Sequence, residues 1–485
     1  MNRPLRRVAA ACGLLMVLLL LNLNFIQVIK ADEYRDDPKN ARVLLEQYDR
    51  ERGAILVASD PIAFSRETGD KLKYLRVYAD GKLYAFATGY YSHIYGRSGV
   101  ERSEDSILSG NDDRLFVRRI VDLLTRESTQ GGTVKLTLNP AAQEAAYKGL
   151  AGRRGAVVAL EPATGRILAM VSTPSFDPNE LAVHDSKKVT SAWQRYSEDD
   201  QMPLLNRAFN QTYPPGSTFK LVTAAAALSS GRYTPTGEVP GPARLDLPLT
   251  NVDLPNYFDG TCTPGSQTTT IKRALEKSCN TTFGAIGMDL GDDVLRKQAE
   301  AFGFGDRYEV PLPVVASVFP ANLNAPQTAQ SAIGQFDVRS TPLQMAMVVA
   351  AIANQGMVMK PYLVEEVRAP DLDVLSRTDP EELGRAIRPQ VAADLTAIMV
   401  SVVNNGTATN AQINGVDVAG KTGTAQVGEG KNPHAWFVCF APAGDPKVAI
   451  AVVLENGGSE RQIEVGGNLL AAPIARAVME AILGR

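Results

Sequence analysis

In "TYPPGSTFK", residues 212–220, two prolines and a glycine stiffen the approach to Ser217, and Lys220 follows one helical turn later. A serine hydroxyl is a weak nucleophile until a neighbouring base takes its proton. Residues three apart on a helix share a face, so the Lys220 amine can reach Ser217. Lysine serves as a base only where desolvation or a nearby cation disfavours its charged form. The Ala/Val-rich run "STFKLVTAAAALSSG" offers the first condition and a second lysine in the pocket would offer the other. Alone the pair is a weak signal, because an N-cap serine beside a solvated lysine has the same spelling.

Two further stretches change that balance. "EKSCNTTF" puts Ser278 and Asn280 at the junction of two helical runs, where short polar side chains can point into a cleft. "AGKTGTAQ" puts Lys421, Thr422 and Thr424 around Gly423 on a strand, and glycine there lets a backbone or substrate approach closely. Alternation places Thr422 and Thr424 on one face and Lys421 on the other, so Lys421 needs the strand's twist or its long stem to reach the same site.

The elements that must position these groups read as an α+β domain, an antiparallel sheet flanked by helices. "RRGAVVALEPATGRILAMVSTP" is a hairpin of two β-rich runs. "STFKLVTAAAALSSG" is a helix stopped by Gly231, and residues 234–270 form a Pro/Gly/Thr-rich surface loop. "VDVAGKTGTAQV", "AWFVCFAP" and "KVAIAVVLEN" are three successive strands, and "LLAAPIARAVMEAIL" closes the chain as a helix. This domain is expected over residues 151–485, above a charged pedestal or stalk of residues 30–150 that shows no chemistry of its own.

At 485 residues the chain can bury a large core, and its net charge of −3 carries no basic stripe for nucleic acid. Arg3, Arg6 and Arg7 precede an apolar run over residues 8–29, long enough to cross a bilayer. No A-x-A cleavage site follows, so the run reads as a single anchor. Residues 1–7 are then cytoplasmic, and Asp32, Glu33, Asp36 and Asp37 lie on the outer side with the rest of the chain. Cys12 lies in the anchor, leaving Cys262, Cys279 and Cys439 exported, an odd number that excludes full internal pairing. Cys439 sits in an apolar strand-like run, where a buried thiol is the default, and a Cys262–Cys279 disulfide is the expected pairing. His93, His184 and His434 stand in no triad setting, and His434 reads as a loop residue. No H-E-x-x-H motif supports a zinc site, and neither a metal nor a cofactor is expected.

Ser-x-x-Lys, Ser-x-Asn and Lys-Thr-Gly, in this order and each on the right kind of element, are hard to dismiss together. The sequence resembles the class B penicillin-binding proteins, monofunctional peptidoglycan D,D-transpeptidases, in their A-type actinobacterial branch. The likeness runs through "DRERGAIL", "SGVERSED", "VVALEPATGRILAMVSTPSFDPN", "NRAFNQTYPPGSTFK", "KSCNTTF", "SAIGQFDVRSTPLQ" and "GKTGTAQ". One departure is visible: the family often has glycine after Ile-Gly-Gln, where this chain has Phe336, which bears on the backbone path of that loop.

The resemblance implies that Ser217 attacks the carbonyl between the last two D-alanines of a peptidoglycan stem peptide and forms an acyl-enzyme. Lys220 would be the base, Ser278 the proton relay to the leaving amine, and Asn280 a hold on the substrate amide or on Lys220. Lys421, Thr422, Gly423 and Thr424 would receive the terminal carboxylate, with the backbone N–H groups of Ser217 and Thr424 as oxyanion hole. β-Lactams would acylate the same serine. Relatives also suggest a SEDS-family glycan polymerase and other cell-wall machinery as partners of the pedestal, for which an inert spacer is the other reading. A β-lactamase shares the motifs but not the long anchored stalk. A D,D-carboxypeptidase and a non-catalytic β-lactam sensor or scaffold stay open at this point.

Overall fold

The structure, a computed structural model, describes residues 3–30, 47–115, 130–428, 431–457 and 466–485. The acidic flank Asp32 to Asp37 lies outside the described residues. Arg3–Asn24 is an α-helix continued by a π turn over Phe25–Ile29, and together they are long and apolar enough to span a membrane. Leu14 to Leu21 are all exposed, as a lipid-facing helix requires.

The central sheet has five antiparallel strands in the order 419–425, 434–441, 448–454, 155–160, 167–173. The expected hairpin is its last pair, Gly155–Leu160 with Ile167–Thr173, and the three late strands form the other side. Every residue of Ala419–Ala425 and Val448–Leu454 is buried, so helices cover both faces. Pro342–Ala353 packs on the middle strands and Pro389–Asn405 on the strand of Lys421, while Ala472–Leu483 packs on the sheet and on Pro140–Leu150. Pro342–Ala353 is apolar but for Gln344 because it is enclosed all round. Its start is set by Pro342 at the first position and by Thr341, whose hydroxyl accepts from the Gln344 N–H at 3.1 Å.

The pedestal has its own six-stranded sheet, ordered 374–377, 364–368, 133–136, 55–57, 60–67, 74–78. Its first two strands come from far down the chain, and Val364–Arg368 pairs antiparallel with Thr133–Leu136. The helix Pro140–Leu150, in turn, packs with the carboxy-terminal helix. The chain therefore crosses between the two layers on both sides of residue 150, and no linear boundary separates them.

The two pedestal motifs meet in a buried ion cluster. Glu101 of "SGVERSED" accepts from Arg52 of "DRERGAIL" and from Arg76, each at 2.6 Å, and from the Tyr78 hydroxyl at 3.2 Å. Arg52 also reaches Asp105 at 2.7 Å. Burial alone would push the Glu101 carboxyl up, but Arg76 and Arg52 outweigh it and hold the group below the ordinary carboxylate range. Glu101→Gln leaves two buried guanidinium groups short of their counter-charge, so it is expected to cost about 3–5 kcal/mol in chemical denaturation near neutral pH. The folded carboxyl titrates below the unfolded one. Its contribution is therefore whole above the unfolded pKa and is lost as pH falls through the folded pKa, so the gap between wild type and variant should close in acid. A pH-independent gap would refute the charge-based account.

Candidate active site

The nucleophile segment differs from the single helix read in the sequence. Gly216–Phe219 is a tight 3-10 turn, and the α-helix begins at Lys220 and runs to Ser229. Side chains three apart eclipse in a 3-10 turn, which sets Ser217 and Lys220 on one side of it. Gly216 has φ +54°, and a Cβ there would lie 2.3 Å from the Thr424 carbonyl oxygen. Across the same contact, a Cβ on Gly423 would lie 2.7 Å from the Thr218 methyl. The turn and the strand of Lys421 thus meet backbone to backbone, and the two glycines make that approach possible.

The approach to Ser217 is pinned from behind. The Trp436 indole N–H donates to the Pro214 carbonyl at 3.1 Å, and the Tyr213 hydroxyl donates to Glu455 at 2.8 Å. Glu455 also takes Arg207 at 2.8 Å and Arg154 at 2.7 Å. Burial, followed by the Glu455 charge, raises the Tyr213 pKa and keeps the phenol a donor. His434 opens the strand 434–441 rather than lying in a loop. Its Nδ1 accepts from the Asn456 N–H at 3.1 Å, and its ring meets Tyr213 edge-on. Burial pushes its pKa down to about 4, so it is neutral there.

The three motifs converge as follows. Lys220 Nζ donates to the Ser278 carbonyl at 2.6 Å, to Ser278 Oγ at 3.3 Å and to Asn280 Oδ1 at 2.8 Å. Lys421 Nζ donates to the same Ser278 Oγ at 2.8 Å and to the Thr422 carbonyl at 2.9 Å. The stem of Lys421 is long enough to cross from its own strand to the helix junction. Lys220, Ser278 and Lys421 are fully buried, and Ser217 is 8% exposed. Ser278 has φ +58°, an uncommon state for serine that turns its hydroxyl and carbonyl towards the two amines. Asn280 opens the helix Asn280–Leu290, and its amide donates to the Pro255 carbonyl at 3.1 Å.

In front of this cluster lies a cavity of about 310 Å³ that Ser217, Asn280 and Thr424 line, together with Leu254, Pro255 and Tyr257. The Thr424 hydroxyl is buried and has no hydrogen-bond partner among the described residues, a polar group waiting for one. Thr422 is turned elsewhere: its hydroxyl shares a 2.7 Å hydrogen bond with Thr407. Cys262 and Cys279 form a disulfide, which ties the excursion carrying Leu254 to Tyr257 to the residue before Asn280. Sequence reasoning took that excursion for a surface loop and missed its part in the cavity wall. The one available signal was the cysteine next to Asn280. Cys439 is a free, buried thiol whose pKa burial raises. Gly423→Ala is expected to cost about 1–3 kcal/mol, the usual toll of overpacking, measured by thermal or chemical unfolding. An unchanged midpoint would mean that the turn and the strand do not touch in solution.

Comparison with known proteins agrees with this geometry. Residues 155–480 match the penicillin binding protein transpeptidase domain, and residues 52–134 match the penicillin binding protein A dimerisation domain. The peptidoglycan D,D-transpeptidase PbpA of Mycolicibacterium smegmatis is 47% identical, over 100% of this chain and 99% of the relative. PbpA of Mycobacterium tuberculosis is 44% identical, over the same shares of the two chains. The structure is similar to the ceftriaxone acyl-enzyme of penicillin-binding protein A from M. tuberculosis. The TM-score is 0.87 and the identity 43%, over 90% of this chain and 100% of that one. Its penicillin G acyl-enzyme gives 0.85 and 44% over the same shares. The chain belongs to the penicillin-binding protein transpeptidase family.

Proposed function

We propose that this chain cross-links peptidoglycan by D,D-transpeptidation through an acyl-enzyme on Ser217, and that β-lactams acylate the same residue. The observation that carries the residue-level reading is the single Ser278 hydroxyl shared by two buried lysines behind Ser217. Ser217 Oγ attacks the carbonyl between the last two D-alanines of a donor stem peptide while Lys220 takes its proton. Lys220 is fully buried and shares the Ser278 hydroxyl with the second amine, that of Lys421. The C–N bond breaks, and the leaving D-alanine amine receives its proton through Ser278. An amine of a neighbouring stem peptide then attacks the ester. A new amide C–N bond forms, the C–Oγ bond breaks, and the proton returns to Ser217.

Lys421 and the unpartnered Thr424 hydroxyl receive the terminal carboxylate beside Gly423, a suitable task for a cation next to a hydroxyl. Thr422 joins them only by releasing Thr407. Asn280 steadies Lys220. The backbone N–H groups of Ser217 and Thr424 form the oxyanion hole, worth about 3 kcal/mol per donor in comparable acyl transfers. The helix Arg3–Ile29 anchors the chain with its basic flank in the cytoplasm and the catalytic layer outside. The pedestal offers a docking face to a SEDS-family glycan polymerase.

Three measurements check this reading. Intact-protein mass after exposure to penicillin G should show one covalent adduct on the full chain in detergent and none on Ser217→Ala. A folded wild type with no adduct would overturn the assignment, and an adduct that vanishes within seconds would indicate β-lactam hydrolysis. With paired stem peptides the product should be a cross-linked dimer. Trimmed monomer would mean a carboxypeptidase, and no product a sensor. Ser278→Ala should lower the acylation rate by roughly 10²–10⁴-fold, the usual range for a lost proton relay. An unchanged rate would remove Ser278 from the chemistry.

A further inference from the structure

A second cavity, of about 790 Å³, opens where the pedestal meets the catalytic layer, and it shares no lining residue with the one in front of Ser217. Its pedestal side comes from the helix Gly81–Thr88 and the stretch that follows it up to Ser103. Its catalytic side comes from the helix Ser186–Ser197, the segment leading to Ser217 and the loop around Glu309. The rings of Phe86, Tyr90, Phe176 and Trp193 line it. Phe176 belongs to a small apolar cluster apart from the main core, and Phe86, Tyr90 and Trp193 pack on that cluster. Phe86 and Tyr90 meet Phe176 edge-on at 5.6 and 6.3 Å, and Tyr95 stacks on Trp193 at 4.3 Å. The rings are thus held in place by one another, yet Tyr90 and Trp193 are only half-buried.

Around the rings stand Ser98, Arg102, Ser103, Asn206, Asn210 and Glu309, and the other lining residues are glycine or apolar. Ser98 Oγ already accepts from the Tyr90 N–H at 3.2 Å, and Asn206 Oδ1 from the Ala208 N–H at 3.1 Å. The side chains of Arg102, Ser103, Asn210 and Glu309 make no hydrogen bond or ion pair among the described residues. Burial raises the Tyr90 pKa and the Arg102 charge opposes it, which sets the guanidinium near that ring. Arg102 and Glu309 are the only charged lining residues and cancel formally, which suits a neutral ligand and not a polyanion. A lipid chain would strip water from these polar groups and replace none of it. A pyranose has an apolar C–H face for the rings and a polar rim for the donors and acceptors around them.

We infer that this cavity is a second binding site, which takes the glycan of peptidoglycan, a chain of N-acetylated amino sugars. The inference rests on peptidoglycan as the substrate and not on the roles given to the residues around Ser217. Tyr90 and Trp193 take the sugar faces. Arg102 and Asn210 donate to acetamido and hydroxyl oxygens, and Glu309 accepts from hydroxyl and N–H groups. Asn210 and Ser217 are seven positions apart, a stretch that reaches at most about 25 Å when extended, so one strand of the polymer can touch both sites.

The test titrates the full chain in detergent with a peptide-free tetramer of N-acetylglucosamine, followed by calorimetry and by tryptophan fluorescence. The chain has two tryptophans, and Trp436 is fully buried, so the emission change on binding should come from Trp193. Trp193→Ala should weaken binding at least about tenfold, the usual loss for a central aromatic anchor. Arg102→Ala should also weaken it about tenfold, through the lost charged hydrogen bond. Arg102 is exposed and unpaired, so its variant should melt with the wild type, which separates lost binding from lost folding. Trp193→Phe keeps a ring and should retain binding while losing the emission change. Acylation by penicillin G should leave the sugar affinity within about twofold, since the two cavities share no lining residue. No binding at millimolar sugar would overturn the inference, as would an affinity that both Trp193→Ala and Arg102→Ala leave intact. Displacement of the sugar by penicillin G or by a free stem peptide would place it at Ser217 and overturn the inference too. Failure of the wild type to be acylated would count against the Ser217 reading alone, because the sugar titration is judged on its own variants.

Discussion

Everything at the site depends on one shared hydroxyl. Ser278 sits between Lys220 and Lys421, and each amine donates to its oxygen while each takes a backbone carbonyl as well. The two buried amines thus meet on one neutral acceptor. Ser278 carries the left-handed backbone that caps the helix Ile271–Lys277, and from there it offers its carbonyl and its hydroxyl to Lys220. A serine held in this backbone state between two buried amines is one that a surrounding fold must over-determine.

The surrounding fold does so through close backbone contact. The Ser217 turn lies against the strand of Lys421 because Gly216 and Gly423 carry no side chains, and behind it Trp436 and Tyr213 tie the prolines to the next strand and to Glu455. Buried strands on the sheet side and the buried helix Pro342–Ala353 make the platform stiff. A close-packed interior transmits displacement rather than absorbing it, so the geometry of Ser217 is a property of the whole layer.

The pedestal is joined to that layer by more than a tether. Strands 364–368 and 374–377 leave the catalytic layer to complete the pedestal sheet, and Arg52, Arg76 and Glu101 lock its interior. Anything that docks on the pedestal therefore acts on a sheet whose edge is supplied by the catalytic half. The charged composition of residues 30–150 concealed this, because a buried ion cluster and a solvated charged face use the same residues.

Much of the chemistry was legible in the sequence. Ser217, Lys220, Ser278, Asn280 and Lys421 stood out by residue type, spacing and the kind of element around them, since local periodicity decides what shares a face. The terminal strands and the membrane-length helix were readable for the same reason, as continuous apolar runs. Other features needed distant segments to meet. Alternation put Lys421 on the face away from Thr422 and Thr424, and the approach of the 278 junction brought a side-chain acceptor to its amine. Thr422 was spelled as a partner of Thr424, yet a threonine 15 positions earlier holds its hydroxyl. Loop 234–270 became a cavity wall and His434 a strand residue because of what packs beside them. The sequence by itself determined which groups could react and on which elements they ride. Tertiary structure decided which of them face one another, because hydrogen bonds between residues 60 or 143 positions apart follow from the packing of whole layers and not from local order.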